Sequence, residues 1–271
     1  MTIGPTAATS TSGGRTVVRA YRLVRDADLF FRYAAIAAIA EFVTVFVAVP
    51  LGLILHVVVL LGCAFEYLRR PAEPSRRVLM ALALIPVSRL LGLTMPLANL
   101  PPWSWYALAG APLIAGASLM TFRLGLRERI GLAAPANPRL DITAIATGLV
   151  LGFVAGALGA GPRLGDGAVG EGIVTALALL VFVAFPEELI FRGLLQRLAG
   201  DAYGAAGIVM VVVLYATAFL TSFSPAVVLV MGVAGAAFAL SVERGGSLWG
   251  TIAGHAILVV GAALVWPAVL A

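Results

Sequence analysis

The segment Phe185-Pro186-Glu187-Glu188-Leu189-Ile190-Phe191-Arg192-Gly193 places two adjacent carboxylates after a long apolar run. Read as a helix, it sets Glu188 and Arg192 one turn apart on one face, where they can form an ion pair. Glu187 points ~100° away and finds no obvious local partner. An unpaired carboxylate in an apolar setting is the kind of group a general base requires. A Glu–Arg lock closing a helix kink is the structural reading of the same residues, and the spacing leaves both open. Pro186 disfavours helix at Phe185 but suits the first position of a new helical stretch. The sequence therefore predicts a kink there, with both glutamates in a first turn whose dipole favours negative charge.

His255 is the second candidate. It stands about seven residues into the last apolar run, roughly 10 Å deep at 1.5 Å per residue. Glu187 lies near the end of its own run, so the two are expected at similar depth, facing one cavity with Tyr215 or Phe219 on its wall. The glycines in Gly250-Thr251-Ile252-Ala253-Gly254-His255 allow a neighbouring helix to approach closely. Further ionisable residues inside apolar runs are Glu41, His56, Glu66 and Arg89. Such residues are costly in a membrane and are functional candidates by default. Glu66 can reach the interface. Glu41, His56 and Arg89 read as interhelical glue, for example a Glu41–Arg89 ion pair. A small-molecule transporter using Glu41, His56, Arg89 and Glu187 is a weaker reading, because no internal repeat is visible.

The elements that must position these side chains follow from composition. The chain has 271 residues, of which 61% are hydrophobic and 11% charged. A soluble domain carries ~25% charged residues. That excludes a typical soluble enzyme, a disordered protein and a nucleic-acid module, and it leaves a polytopic helical membrane protein. All 18 basic residues are arginine, giving a net charge of +5. They cluster between apolar runs, as orientation signals do, so the charge gives no reason to expect a nucleic-acid partner. Cys63 stands alone in an apolar run and reads as a packing residue.

Residues 1–14 are expected to be disordered. Residues 15–32, with Arg15, Arg19, Arg22 and Arg25 at helical spacing, read as a basic amphipathic segment on the cytoplasmic leaflet. The run from Tyr33 to Leu68 contains Pro50 and has arginines on both flanks, so it is expected to cross twice, at ~33–49 and ~51–68. Further spans are expected at ~78–97, ~103–121, ~141–160, ~172–192, ~205–221, ~225–242 and ~248–268. Nine crossings with a cytoplasmic N-terminus put the arginine-bearing loops 69–77, 122–140, 193–204 and 243–247 inside. The 98–102 connection falls outside.

Taken together, these motifs resemble the CPBP family, the CAAX-protease and bacteriocin-processing (Abi-type) intramembrane peptidases. The likeness rests on Glu187-Glu188-x-x-x-Arg192, on the late Gly-Ser-Leu-Trp-x-x-x-x-x-His255, and on the approach Phe122-Arg123-Leu124-Gly125-Leu126-Arg127. It extends over roughly residues 120–268. The fold it implies is all-α, with a CPBP-like core over 121–271 and an N-terminal helical hairpin and further helices over 33–120.

The resemblance implies a glutamate-dependent endopeptidase acting on a membrane-associated peptide or protein substrate. Glu187 would activate water, Glu188–Arg192 would hold geometry, and His255 would polarise the scissile carbonyl. The family's second motif carries a histidine where this chain reads Tyr215-Ala216-Thr217-Ala218-Phe219. Its last helix carries an asparagine where this chain has Val259. Tyr215, Phe219 and Val259 are thus expected to line the substrate cavity, and the two apolar replacements imply weak or absent activity. A non-catalytic scaffold that binds a peptide, a lipid or a partner subunit is the rival expectation. No His-Glu-x-x-His stretch is present, so neither a tightly bound metal nor any other cofactor is expected. Membrane lipids are the expected surroundings, in the plasma membrane.

Overall fold

The computed structural model describes residues 12–69, 74–94, 100–159 and 169–270, with side chains from Leu29 onward in the first stretch. Among these residues there are helices and turns and no strands. Helix α1 is Ser12–Phe46 and α2 is Val49–Arg69. Helix α3 spans Pro74–Thr94, with an irregular turn at Ala83. Next come α4 (Pro102–Arg123) and α5 (Pro138–Ala157). Residues 169–203 form α6 and 205–222 form α7. Pro225–Glu243 is α8 and Leu248–Leu270 is α9.

Long apolar side chains such as Phe42, Leu51, Ile54, Leu61, Leu149 and Leu229 lie on the outside. Helices that bury their polar residues and expose leucine and phenylalanine belong in lipid. The chain is a multi-pass helical membrane protein.

The expected double crossing at the N-terminus is present. After α1 ends at Phe46, α2 starts at Val49 and returns along it. A Cβ on Gly52 would collide with Thr44, and one on Gly62 with the Tyr33 ring. The basic stretch 15–32 is not a separate element: it is continuous with the first crossing in α1. Residues 12–14, expected to be disordered, are helical, and 1–11 lie outside the described residues.

The run Gly170–Ser222 is helical for 53 residues and reverses at Gly204. There φ is 60° and ψ −144°, a conformation that side-chain-bearing residues rarely adopt. Past the turn, Gly207 meets the Ala199 carbonyl, where a Cβ would have no room. Farther along, the Tyr215 ring lies 4.0 Å from the Arg192 guanidinium. Residues 215 and 192 are nearly equidistant from Gly204, so α6 and α7 run antiparallel. This corrects the expectation of a loop at 193–204: helix continues to the turn.

Small residues decide how α9 is held. Ala144, Gly148, Gly152 and Gly156 repeat every four residues along one face of α5. A Cβ on Gly148 would strike the Gly254 carbonyl, and one on Gly254 would strike the Ala144 carbonyl. Gly156 faces the Trp266 side chain. Backbone against backbone is the contact that small-xxx-small stripes permit. At the start of α9, Asp141 of α5 accepts from Ser247 N at 2.7 Å and from Ser247 Oγ at 2.6 Å. Ser247 Oγ in turn caps Gly250 N at 3.1 Å.

The arginine-bearing connections gather on one face. Arg77 donates to the Leu124 carbonyl, Arg129 bridges to Asp201 at 2.9 Å, and Asn137 N donates to Gly245 O at 3.1 Å. The start of α3, the end of α4, the end of α6 and the α8–α9 connection therefore share one side.

Candidate active site

Proline in mid-helix removes a donor and crowds the preceding turn. Around Pro186 the chain accommodates this by widening instead of breaking. Residues 180–184 are π-helical, and Phe185 N bonds five residues back to Leu180 O. Phe185–Glu188 is α-helical, and Leu189–Gln196 is π-helical again. Phe185 keeps right-handed helical angles, φ −63° and ψ −54°. The expected break is absent, and with it the fresh helix N-terminus. The glutamates are held by side chains and not by a helix dipole. Such π segments re-aim side chains and recur at functional sites.

The levels of the two carrier helices are set where they touch. Gly193 of α6 lies against the Leu248 side chain at the start of α9. Glu187 stands six residues before Gly193 and His255 seven after Leu248, each about 9–10 Å along its helix. His255 Nε2 lies 3.7 Å from Glu187 Oε2, as the depth argument requires. His255 Nδ1 makes the closer contact, 3.0 Å to Glu188 Oε1.

Glu188 also pairs with Arg192 Nη1 at 3.3 Å, the expected one-turn pair. Arg192 donates from Nη2 to the Gly235 carbonyl at 3.3 Å, and one turn on Gln196 Nε2 donates to Ala239 O at 3.0 Å. These two bonds fasten α6 to α8. Glycine is required at 235, since a Cβ there would push into the Tyr215 ring.

Tyr215 completes the cluster. Its hydroxyl is 3.4 Å from His255 Nε2, and its ring lies under Arg192. The guanidinium is thereby stacked as well as paired. Glu188, Arg192, Tyr215 and His255 are all buried. Glu187 alone keeps a third of its side chain exposed, 33%. The array thus has a sealed interior and one open carboxylate.

Phe219 stacks edge-on against Tyr215, with centroids 5.2 Å apart, so it extends the aromatic wall one turn beyond the tyrosine. Val259 is one turn after His255 on α9 and packs partly buried against the core. Glu41, His56 and Arg89, from α1, α2 and α3, form a second buried cluster. Arg89 Nε meets Glu41 Oε1 at 2.5 Å, and His56 Nε2 lies 3.5 Å from the same oxygen. The suggested Glu41–Arg89 pair is therefore present, with His56 added. Cys63 is buried in α2.

Two partners were not legible from spacing: the Tyr215 hydroxyl on His255 and the Gly235 carbonyl on Arg192. Only the first had a sequence signal, a tyrosine four residues before Phe219. Among the described residues, no group of three or more His, Cys, Asp or Glu side chains is arranged to hold a metal ion.

No curated protein and no solved structure matches the chain. A family model does match, over residues 169–260, and its description is type II CAAX prenyl endopeptidase Rce1-like. That stretch holds Glu187, Glu188, Arg192, Tyr215, Phe219, His255 and Val259, and its helical membrane architecture is the one found here. Over residues 169–260 the chain is similar to this CAAX-endopeptidase family, consistent with the CPBP likeness read from Glu187, Glu188, Arg192 and His255; the match does not reach Phe122–Arg127.

Proposed function

We propose that this chain is an intramembrane endopeptidase of the CAAX-protease type, slow in its present sequence, acting on a peptide bond of a membrane-associated protein or peptide. The observation that carries this reading is the Glu187–His255–Glu188–Arg192 array with its one open carboxylate. Glu187 takes a proton from water as the water attacks the scissile carbonyl. His255, oriented through Nδ1 by Glu188, polarises the carbonyl oxygen from Nε2, with the Tyr215 hydroxyl beside it. Arg192 holds Glu188 in place through their ion pair and does not itself meet substrate. The arginine-rich face is the cytoplasmic one, in the plasma membrane, with the N-terminus inside.

The test is hydrolysis of an internally quenched peptide bearing a lipid anchor, by purified protein in nanodiscs. Cleavage that is slow in the unchanged chain and lost in Glu187→Gln supports the reading. Cleavage that survives Glu187→Gln overturns it.

One pair of residues favours a second reading. Phe219 and Val259 are apolar where the family resemblance calls for histidine and asparagine, and a phenyl ring cannot relay a proton. On that reading the scaffold binds a membrane-associated partner without cutting it. Co-purification of an uncleaved peptide, lost on Glu187→Gln, would separate it from a slow enzyme.

A further inference from the structure

The neutral form of His255 has one proton to place. Its Nδ1 lies 3.0 Å from Glu188 Oε1, and an ionised carboxylate can only accept. The neutral ring therefore holds its proton on Nδ1, which leaves Nε2 with a lone pair. In that form Nε2 cannot donate to a carbonyl oxygen. It donates only while the ring carries a second proton.

Two groups face Nε2: Glu187 Oε2 at 3.7 Å and the Tyr215 hydroxyl at 3.4 Å. A carboxylate acting as base has no proton to offer, whereas the phenol has one. At 3.4 Å its bond to Nε2 is long, so the hydrogen is readily given up to a better acceptor. The ring itself is clasped. The Arg192 guanidinium lies 4.0 Å from its centroid, Phe191 and Phe219 pack edge-on at 5.2 Å each, and Gly235 leaves no room beside it for a Cβ. A phenol oxygen lies on the axis of its ring, so this packing fixes the oxygen while the hydroxyl hydrogen stays free to swing. A donor fixed in advance is what stabilises charge as it develops on an oxyanion.

We infer that Tyr215 is a catalytic residue of the candidate site: as water adds to the scissile carbonyl, its hydroxyl turns from His255 Nε2 to the carbonyl oxygen and holds the negative charge that forms there. The water oxygen bonds to the carbonyl carbon, the electron pair of the C=O bond moves to the oxygen, and the proton of the water goes to Glu187. The phenol keeps its own proton. Tyr215 thereby supplies, from α7, a donor of the kind that Val259 on α9 cannot provide. The inference rests on the reading of this site as an endopeptidase that uses Glu187.

Two lipid-anchored peptides test it by affinity, with purified protein in nanodiscs. One carries a difluoroketone at the scissile position, which hydrates to a diol and presents tetrahedral oxygens. The other carries an ethylene link with no oxygen. Tyr215→Phe, which removes the hydroxyl and keeps the ring, should weaken the diol peptide about 10–100-fold and leave the ethylene peptide unchanged. Should Tyr215→Phe fail to fold, Tyr215→3-fluorotyrosine, which keeps the hydroxyl and makes it a stronger donor, should tighten the diol peptide alone. Equal effects on both peptides, or none on either, overturn the inference, because a tyrosine that only packs and satisfies His255 would give just that. An unchanged chain that does not distinguish the two peptides overturns it as well. Discrimination that depends on the hydroxyl, in a protein that never cleaves, would keep Tyr215 as the donor and remove the endopeptidase reading. Cleavage that needs Glu187 but is indifferent to Tyr215→Phe would remove Tyr215 alone.

Discussion

His255 Nδ1 lies 3.0 Å from Glu188 Oε1, so the histidine is anchored to the second glutamate of the pair and turns its other nitrogen toward the first. The two adjacent carboxylates thereby divide their work. Glu188 is sealed between His255 and Arg192, and Glu187 is left open. Helical geometry makes this division unavoidable, since neighbouring residues point ~100° apart.

Breaking the sealed half should cost stability first. Glu188→Gln leaves Arg192 buried without its carboxylate, and removing one partner of a buried pair typically costs about 3–5 kcal/mol. Thermal unfolding in detergent should show a large Tm loss for Glu188→Gln and a much smaller one for the partly exposed Glu187→Gln. Equal losses would mean that the two carboxylates are not divided in this way.

Installing the polar groups that the sequence lacks should raise activity. Phe219→His and Val259→Asn together restore a proton-relaying ring and an oxyanion donor, each of which contributes ~10²–10³ in rate where such groups act. Peptidase turnover should rise well above the unchanged chain and vanish again when Glu187→Gln is added. If the unchanged chain already cleaves at a rate typical of peptidases, another residue supplies the missing group, and Tyr215 is the first to mutate.

The glycine stripe of α5 should be intolerant of a single methyl. Gly148→Ala drives a Cβ into the backbone of Gly254, one residue before His255, and overpacking of this kind costs about 1–3 kcal/mol. Gly92 has open space around its Cβ position, so Gly92→Ala should be neutral or slightly stabilising. Comparing the two Tm values checks the close α5–α9 approach directly.

Removing Asp141 should loosen α9 at its start. Asp141→Ala forfeits both bonds to Ser247, and the loss of a cap and its support is worth about 1–2 kcal/mol. Hydrogen exchange should quicken in the first turns of Leu248–Leu270 and less so elsewhere. Uniform change across the helices would deny Asp141 this local role.

The sidedness of the bundle can be read with cysteines. Single cysteines at Ala136 and Arg244, in a chain with Cys63 replaced, should be labelled by an impermeant reagent in inside-out vesicles, and one at Leu100 or Phe223 in right-side-out vesicles. Labelling of Leu100 from the cytoplasm would reverse the assignment.

Several of these relationships were legible in the sequence because they depend on spacing along one helix or on the cost of charge in lipid. Glu188 with Arg192 follows from one turn of helix. Glu41 with Arg89 follows from the need to pair buried charges. Glu187 with His255 follows from depth. What escaped was set by backbone geometry that propensity does not encode. Pro186 signals a break, yet a widened helix absorbs the missing donor and the chain runs on. Gly204 ends a stretch that reads as a loop, yet one left-handed residue suffices to turn the chain. Asp141 acts on Ser247 of another helix, and only the packing of α5 against α9 brings it there.

The turn at Gly204 has a consequence for proteolysis. A protease must draw several residues into an extended strand before it cuts, and a reversal made by one residue between two helices offers none. Arg192 is buried and Arg197 half-buried on the approach to this turn. Arg123 ends α4, and Arg127 and Arg129 lie in the connection after it, all exposed. Trypsin applied to the arginine-rich face should therefore nick the chain after α4 and leave α6 and α7 joined. Glu187 and Tyr215 would stay together in one fragment, and Arg89 would be left in the other.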